Sequence, residues 1–210
     1  GGSNDTQTPD NSGDTTSQGD TAADGGVDFS KKVNLVWAIS GAGGMGTAVA
    51  NQNAIDMIAE KSGGAITIDL STDGALGNEA SLLQQTMEGS CDICGAAIGI
   101  VSQYSDKLAV FQMPFLVNNY EQEAKMLQSD EWKALVAAAN EDLGTATIIG
   151  ATEFGMRGMA TINKPVTTMA DMKGLKVRTG GNPVIDEAMT LLEANPVSIP
   201  FTELYSSLQN

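Results

Sequence analysis

Apolar residues along this chain alternate between two spacings, and the alternation predicts strands and helices in turn. Short apolar runs predict three strands, at residues 33–39, 65–70 and 92–97. Between them, apolar residues recur every three or four positions, which predicts a helix ending at Gly63 and Gly64 and a second helix capped by Asn78. The second helix is expected to bury Ala80, Leu83 and Met87. Strands alternating with helices favour a parallel or mixed sheet with helices on its faces.

The second half of the chain continues this alternation with longer helices. A helical pattern covers residues 120–143 and is interrupted near Ser129 and Asp130, either of which can cap a new helix. A further helix is predicted at residues 183–192, with a proline in its first turn. Apolar runs predict four more strands, at residues 146–151, 156–163, 175–178 and 195–199.

The last apolar positions form a helical stripe that reaches the end of the sequence. The stripe has the spacing i, i+3, i+4, i+7 and consists of Phe201, Leu204, Tyr205 and Leu208. A helix is therefore expected to be under way at Asn210. Because an amphipathic helix needs a surface to pack against, we expect this sequence to be a fragment of a longer fold.

The first 26 residues have a different composition from the rest of the chain. They contain five aspartates and many small polar residues, and their only apolar side chains are Ala22 and Ala23. Such a segment cannot bury a core, so residues 1–26 are predicted to be a disordered acidic linker. It is either an expression tail or the tether of a lipoprotein whose lipidated cysteine would precede Gly1.

Composition excludes several classes of function. The 210 residues carry 26 acidic and 11 basic side chains, a net charge of −15, which disfavours nucleic acid and anionic membrane surfaces as partners. The absence of histidine removes the commonest general base and the commonest metal ligand. No run of 18 apolar residues occurs, so no spanning helix is predicted.

A glycine-rich loop follows the first predicted strand. Gly41, Gly43 and Gly46 satisfy the pattern G-x-G-x-x-G, and Asp69 lies 23 residues beyond Gly46, near where a dinucleotide-binding fold places its ribose acid. The pattern arises readily by chance in a chain with 24 glycines, and Asp69 falls inside a predicted strand rather than at its end. A ligand loop or a tight turn is the favoured interpretation, with an NAD-dependent oxidoreductase as the alternative.

Two cysteines have the C-x-x-C spacing of redox and zinc sites. Cys91 and Cys94 have no second pair and no histidine with them, which disfavours zinc. They open a predicted strand, where positions i and i+3 point to opposite faces and cannot easily form a disulfide. Both are therefore predicted to be core thiols.

The arginines are the strongest candidates for a ligand site. The chain has nine lysines but only two arginines, Arg157 and Arg178, and both lie at predicted strands flanked by glycines. The planar guanidinium binds a carboxylate through two parallel hydrogen bonds, which lysine cannot reproduce. The alternative for each arginine is a structural ion pair with one of the many carboxylates.

Four segments of the chain resemble the solute-binding proteins of TRAP (tripartite ATP-independent periplasmic) transporters, of the dicarboxylate-binding type. They are residues 60–93, 113–127, 153–166 (EFGMRGMATINKPV) and 169–209. The resemblance covers essentially everything from Val33 onward. It implies a two-domain α/β fold like that of periplasmic binding proteins, with a ligand cleft between the domains and no chemistry performed. The first domain is expected at residues 27–152 and a partial second domain at residues 153–210.

The resemblance also implies which residues contact the ligand. Arg178 stands at the family position that pairs with the ligand carboxylate, and Arg157 matches a second arginine in the preceding strand. Phe201 matches the phenylalanine that packs on the ligand. Other positions expected at the cleft are Asn182, Glu79, Ser40 and Gly41.

The expected cleft walls bear on the class of ligand. Ala97 stands where relatives that take sugar acids can carry an acidic residue. The remaining expected wall residues are apolar or aromatic: Trp37, Phe115, Phe154 and Met156. The sequence therefore favours a small or partly apolar organic acid over a polyhydroxylated sugar acid.

The function that the resemblance implies is capture of a small organic acid by cleft closure and its delivery to the TRAP membrane permease. It implies no cofactor, no metal and no catalysis, and a location in the periplasm or on the outer face of the cell membrane. A ligand-sensing module of the same fold is a further alternative beside the oxidoreductase.

Overall fold

The computed structural model describes residues 29–162 and 164–209. The predicted acidic linker, residues 1–26, lies outside the described residues. The strands are β1 Val33–Ala38, β2 Ile66–Ser71, β3 Ile93–Cys94, β4 Lys176–Arg178 and β5 Asn195–Val197. The α-helices are α1 Gly46–Lys61, α2 Glu79–Met87, α3 Ile98–Val101, α4 Tyr120–Gln128, α5 Asp130–Leu143, α6 Pro183–Leu191 and α7 Leu204–Gln209. Three 3-10 helices cover Asp106–Gln112, Met169–Met172 and Phe201–Glu203.

The first sheet is parallel, with β1 between β2 and β3. β1 and β2 pair over their full lengths, from Val33 opposite Ile66 to Ala38 opposite Ser71. The connections through α1 and α2 run in opposite directions across the sheet, so right-handed crossovers place these helices on opposite faces. The prediction of a parallel sheet with helices on its faces is confirmed for this part of the chain.

Local signals in the sequence mark the ends of the helices as predicted. α1 is followed by Gly63 and Gly64, both in the left-handed region that suits glycine. The side chain of Asn78 accepts from the amide of Ser81 at the start of α2. Ser129 separates α4 from α5 and accepts from the amide of Trp132.

The buried apolar residues in the first part of the chain form two clusters. In the first, Ala38 of β1 packs with Leu82 of α2 and Cys91. The second cluster forms where α5 packs on the 3-10 helix Asp106–Gln112, and its buried members are Leu108, Trp132 and Ala139. Phe111 meets the ring of Trp132 edge-on at 4.9 Å. The helices α4 and α5 thus pack against the segment that follows β3.

The second sheet consists of β4 and β5, which are parallel and connected through α6. Pro183 occupies the first turn of α6, as predicted, and Asn182 caps this helix. Ile185 is the buried residue of this helix. In the described part of the chain, no helix is both long enough and apolar enough to cross a membrane.

Three sequence predictions are wrong in detail. Among the described residues, 146–151 and 156–162 form no strand, and no residue from 149 to 162 hydrogen-bonds to another described residue. A strand needs a neighbour for its backbone groups, and the apolar pattern does not supply one. The third strand shortens to Ile93–Cys94 for the same reason. Ala80 is exposed, and Leu82 takes its place on the buried face of α2.

Candidate functional site

Several of the predicted site residues lie at the carboxyl ends of strands in the two parallel sheets. Ser40 and Gly41 follow β1, Ala97 follows β3, and Arg178 ends β4. In open α/β sheets, ligands bind in the crevice beyond the carboxyl ends of the strands. The topology therefore brings residues that are far apart in the sequence to one edge of the molecule.

Glu79 joins the ends of β1 and β3. Its Oε1 accepts from the hydroxyl of Ser40 at 3.3 Å, and its Oε2 accepts from the backbone amide of Ala97 at 2.9 Å. Glu79 is also the first residue of α2, where a carboxylate interacts favourably with the helix dipole. Three of the residues predicted for the cleft thus form one connected group.

Arg178 is half-buried at the end of β4. Its Nε donates to the carbonyl oxygen of Ile199 at 2.8 Å, which holds the guanidinium beside the end of β5. Neither terminal nitrogen of the guanidinium hydrogen-bonds to a described residue, and no carboxylate of the described chain forms an ion pair with it. The structural ion pair considered as the alternative for Arg178 is therefore not found among the described residues.

Two glycines shape the backbone directly after Arg178. Gly180 and Gly181 both have positive φ, at 74° and 83°. A Cβ on Gly180 would lie 3.3 Å from Nη2 of Arg178, and a Cβ on Gly181 would lie 2.7 Å from the hydroxyl of Ser198. The turn is closed tightly over the guanidinium, and larger residues would be strained at both positions.

The side chain of Asn182 is occupied by contacts within the protein. Its Oδ1 accepts from the amides of Val184 and Ile185 at the start of α6, and its Nδ2 donates to Oε1 of Gln112. Only 6% of the residue is exposed. The sequence placed Asn182 in the ligand-facing loop. In the structure, its side chain joins that loop to Gln112, which follows the first sheet in the chain.

Phe201 starts the 3-10 helix that follows β5, and 43% of it is exposed. The neighbouring residue, Thr202, reaches the turn after β2, because a Cβ on Gly74 would lie 2.6 Å from its methyl group. The same hypothetical Cβ would lie 3.8 Å from the carbonyl oxygen of Ser40. The end of the second sheet therefore meets the ligand edge of the first sheet at this point.

Trp37 lies in β1, one residue before the core residue Ala38. The indole Nε1 is buried and has no hydrogen-bond partner among the described residues. A buried donor without a partner costs free energy, so such a group calls for an explanation, and a role in ligand binding is one. The structure thus provides a chemical reason to keep Trp37 among the candidates.

Four predicted site residues lie on exposed segments. Arg157 is exposed and makes no hydrogen bond or ion pair with a described residue. Phe154 and Met156 belong to the same extended stretch and are 77% and 46% exposed, and Phe115 is 92% exposed. The structure does not bring these four side chains into contact with Arg178.

A carboxylate of the protein itself lies beside the glycine-rich loop. Asp73 lies beside it, with its carboxylate 3.4 Å from the amide of Gly43 and its own amide donating to the carbonyl oxygen of Gly41. Asp69 lies within β2 and accepts from the side chain of Asn34 at 3.0 Å. A carboxylate beside the loop repels phosphate, and the expected ribose acid is engaged elsewhere, so the geometry disfavours a dinucleotide.

The C-x-x-C motif belongs to the first apolar cluster. Cys91 is buried, Cys94 packs against it, and both are free thiols. Burial raises the pKa of Cys94 above its usual value, which keeps it as an unreactive thiol at neutral pH. The prediction of core thiols is confirmed.

Sequence reasoning missed the residues that hold the site together. Gln112 and Gln103 bind Asn182 and the carbonyl oxygen of Gly181, respectively, across gaps of 70 and 78 residues in the sequence. Nothing in the local pattern around a glutamine signals such a contact. Gly99, which lies under Asn182, is likewise one of 24 glycines with no local mark.

Comparison with known proteins identifies the family of this chain. The profile of the DctP family, described as bacterial extracellular solute-binding protein family 7, matches residues 46–210. The chain belongs to this family of TRAP solute-binding proteins. A 2,3-diketo-L-gulonate-binding periplasmic protein of Escherichia coli is 29% identical over 154 residues, which are 73% of this chain and 46% of that protein.

Solved structures agree on the fold. A sugar acid binding protein from Advenella mimigardefordensis, in complex with galactonate, superposes with a TM-score of 0.80 at 24% identity, covering 85% of this chain and 57% of that one. A TRAP periplasmic solute-binding protein from Pseudomonas putida, with bound D-glucuronate, gives a TM-score of 0.77 at 25% identity, covering 84% and 57%.

These comparisons confirm the predicted family and the predicted two-domain α/β fold class. The chain spans about half the length of the curated relatives it matches, 46% in the case of the Escherichia coli protein.

Proposed function

We propose that this protein is the extracytoplasmic solute-binding receptor of a TRAP transporter and that Arg178 pairs with the carboxylate of a small organic acid. The observation that carries the proposal is the state of the guanidinium. Its Nε is fixed by Ile199, and its two terminal nitrogens have no partner among the described residues. An oriented fork with open donors suits a carboxylate, which accepts two parallel hydrogen bonds.

The charge of the protein strengthens this assignment. In a chain with net charge −15, a half-buried arginine without an acidic partner is a local focus for an anion. The carboxylate of Glu79 is already engaged by Ser40 and the amide of Ala97, so it leaves Arg178 available. The neighbours Gly180 and Gly181 add no side chain that would block the approach of a ligand.

Capture would proceed by closure of two lobes, residues 27–152 and residues 153–210 with whatever the second lobe further contains. A ligand held by Arg178 on one side and by the ends of β1 and β3 on the other favours the closed state by its differential contact energy. The closed receptor would then bind the membrane permease. A lipid anchor on the acidic N-terminal segment would keep the receptor at the membrane, and a periplasmic or outer-face location follows from this role.

Two ligand classes are open to such a site. Two of the solved relatives hold sugar acids, galactonate in one and D-glucuronate in the other. Ala97 offers no acidic side chain for ligand hydroxyls, which favours a simpler acid. The other support for a partly apolar ligand is reduced to Trp37, because the remaining apolar wall residues, Phe115, Phe154 and Met156, are exposed.

Titration calorimetry with four carboxylates tests the proposal: D-galactonate, D-glucuronate, succinate and pyruvate. We expect at least one to bind, and Arg178→Ala to weaken that binding by about 30-fold or more, because truncating a hydrogen-bonded charge pair costs about 2–5 kcal/mol. Arg178→Lys is expected to recover only part of the affinity, because lysine lacks the planar fork.

Lys176→Ala is the matched control, because it removes the same charge from the exposed start of the same strand. Its affinity should stay within about threefold of the parent, as for a charge at the rim of a site. Equal losses of affinity from Lys176→Ala and Arg178→Ala would mean that Arg178 acts only through its charge and not as a specific partner of the carboxylate. Binding that is unchanged by Arg178→Ala would remove the carboxylate clamp, and binding of NAD instead would restore the oxidoreductase alternative.

A further inference from the structure

The turn that follows Arg178 is tied to the opposite side of the cleft by two glutamine side chains. Oε1 of Gln112 accepts from Nδ2 of Asn182, and Nε2 of Gln103 donates to the carbonyl oxygen of Gly181 at 2.8 Å. Both glutamines follow β3 in the chain: Gln103 lies just after α3, and Gln112 ends the 3-10 helix Asp106–Gln112. The turn therefore has anchors outside its own sheet.

The amide of Asn182 is suited to join two elements at once. Its oxygen caps α6 by accepting from the amides of Val184 at 3.0 Å and Ile185 at 3.3 Å, which leaves its nitrogen for Gln112. With only 6% of the residue exposed, a loss of either contact would leave a buried polar group without a partner.

The packing around this amide leaves no space for adjustment. A Cβ on Gly99 would overlap Nδ2 of Asn182 and would lie 3.2 Å from Oε1 of Gln112. Within the turn itself, a Cβ on Gly180 would lie 3.3 Å from Nη2 of Arg178. The pair of amides is thus packed against Gly99 of α3, while the guanidinium lies beside Gly180 of the turn.

We propose that Asn182 and Gln112 are positioning residues for Arg178, which hold its guanidinium toward the ends of β1 and β3 without contacting the ligand themselves. This inference rests on the proposed function and deepens it. It also reassigns Asn182, which the sequence placed in the ligand-facing loop. Because the contact joins the two lobes, closure of the cleft must pivot near it if the contact is to persist.

Two single variants that each introduce a carboxylate, together with their double variant, distinguish a positioning role from direct contact with the ligand. In Asn182→Asp, one oxygen still caps α6, and Gln112 can rotate its amide to donate to the other oxygen. In Gln112→Glu, a carboxylate oxygen still accepts from Nδ2 of Asn182. Each single variant therefore keeps the contact, whereas the double variant places two carboxylates face to face.

For the carboxylate that binds best among galactonate, glucuronate, succinate and pyruvate, each single variant should bind within about threefold of the parent near neutral pH. The double variant should bind about tenfold or more weakly, because two facing carboxylates repel each other and the contact between directly coupled groups is lost. At about pH 5 it should regain most of this loss, because two adjacent carboxylates raise one pKa and share a proton.

Two results would overturn the inference. If Asn182→Asp alone weakened binding as much as the double variant, Asn182 would be a ligand contact. If the double variant bound like the parent at every pH, the contact would have no positioning role. The proposed function fails separately, when Arg178→Ala leaves binding unchanged.

Hydrogen exchange of the ligand-free full chain gives a second readout that does not depend on a ligand. The hydrogen-bonded amides that flank the turn, those of Thr179, Val184 and Ile185, should exchange faster in the double variant and in Gln103→Ala, while those of α1 stay as they are in the parent. Unchanged exchange at the turn would contradict the inference even if no carboxylate were found to bind.

Discussion

The two parallel sheets share one local design but differ in how they are covered. β1 is flanked by strands on both sides, and Leu82 of α2 packs against Ala38 and is fully buried. In the second sheet β4 has one partner, Leu191 at the end of α6 is 74% exposed, and Val197 of β5 is 37% exposed. An apolar pattern predicts which side of an element is to be covered, and whether a partner covers it is a separate matter.

The stretch between the two sheets shows the same difference more strongly. Every residue from 149 to 162 is exposed, although the sequence alternates like a strand and includes Ile149 and Phe154. In contrast, the preceding residue, Ile148, donates its amide to Asn140 and packs on the second apolar cluster. Beyond Ile148, the residues up to 162 have no hydrogen-bond partner among the described residues and form no helix or strand.

The largest expected effect compares a covered leucine with an uncovered one. Leu82→Ala removes a side chain with 0% exposure and should lower the free energy of unfolding by about 2–5 kcal/mol. Leu191→Ala should change it by less than about 0.5 kcal/mol. Urea denaturation followed by circular dichroism measures both. Equal losses would mean that Leu191 is covered in solution.

A helix cap provides a smaller effect within the well-covered region. Asn78→Ala removes the acceptor for the amide of Ser81 and should cost about 1 kcal/mol of unfolding free energy, whereas Asn78→Gly should cost only about a few tenths. The same denaturation measurement applies. If the two variants lost the same amount, the side-chain hydrogen bond would not be the source of the stability.

The smallest effect at neutral pH concerns Asp171, which caps the 3-10 helix before β4. Hydrogen bonds from Thr168 and Thr167, with the ammonium of Lys164, hold the pKa of this carboxyl well below its usual range. Because the folded-state pKa is lowered, its stabilisation is present above the unfolded pKa, near pH 4, and is lost as the pH falls further.

Asp171→Asn removes this acid-dependent stabilisation. Between about pH 4 and pH 2 the stability of the parent should fall more steeply than that of the variant, because only the parent loses the ionised cap. Acid titration of the melting temperature compares them, and Glu203→Gln is a control for removal of one carboxylate. Parallel acid limbs in parent and Asp171→Asn would contradict the lowered pKa.

Much of the first sheet could be predicted from the sequence because its signals are local. Runs of apolar residues, the glycines after α1 and the asparagine before α2 act within a few residues of their own position. The predicted strand at 156–163 is wrong for the described residues because strand pairing depends on a neighbour that no local pattern names.

The candidate site divides in the same way. Arg178 could be predicted, since an isolated arginine between glycines in an acidic chain carries its own chemical signal. The engagement of Glu79 with Ser40 and Ala97 depends on which strand ends meet. Arg157 was predicted from the same kind of signal, and its role stays a prediction because the described structure gives it no partner.

The sequence by itself determined the approximate positions of the five described strands, the caps of α2 and α5, the core thiols and the membership of the solute-binding family, because each rests on residue types at short spacing or on ordered motifs. The tertiary structure alone decided that Asn182 binds Gln112, that Gln103 holds Gly181 and that Asp73 occupies the glycine loop. These contacts join residues 30 to 78 positions apart, and such distances are set by how the sheets pack and not by any local pattern.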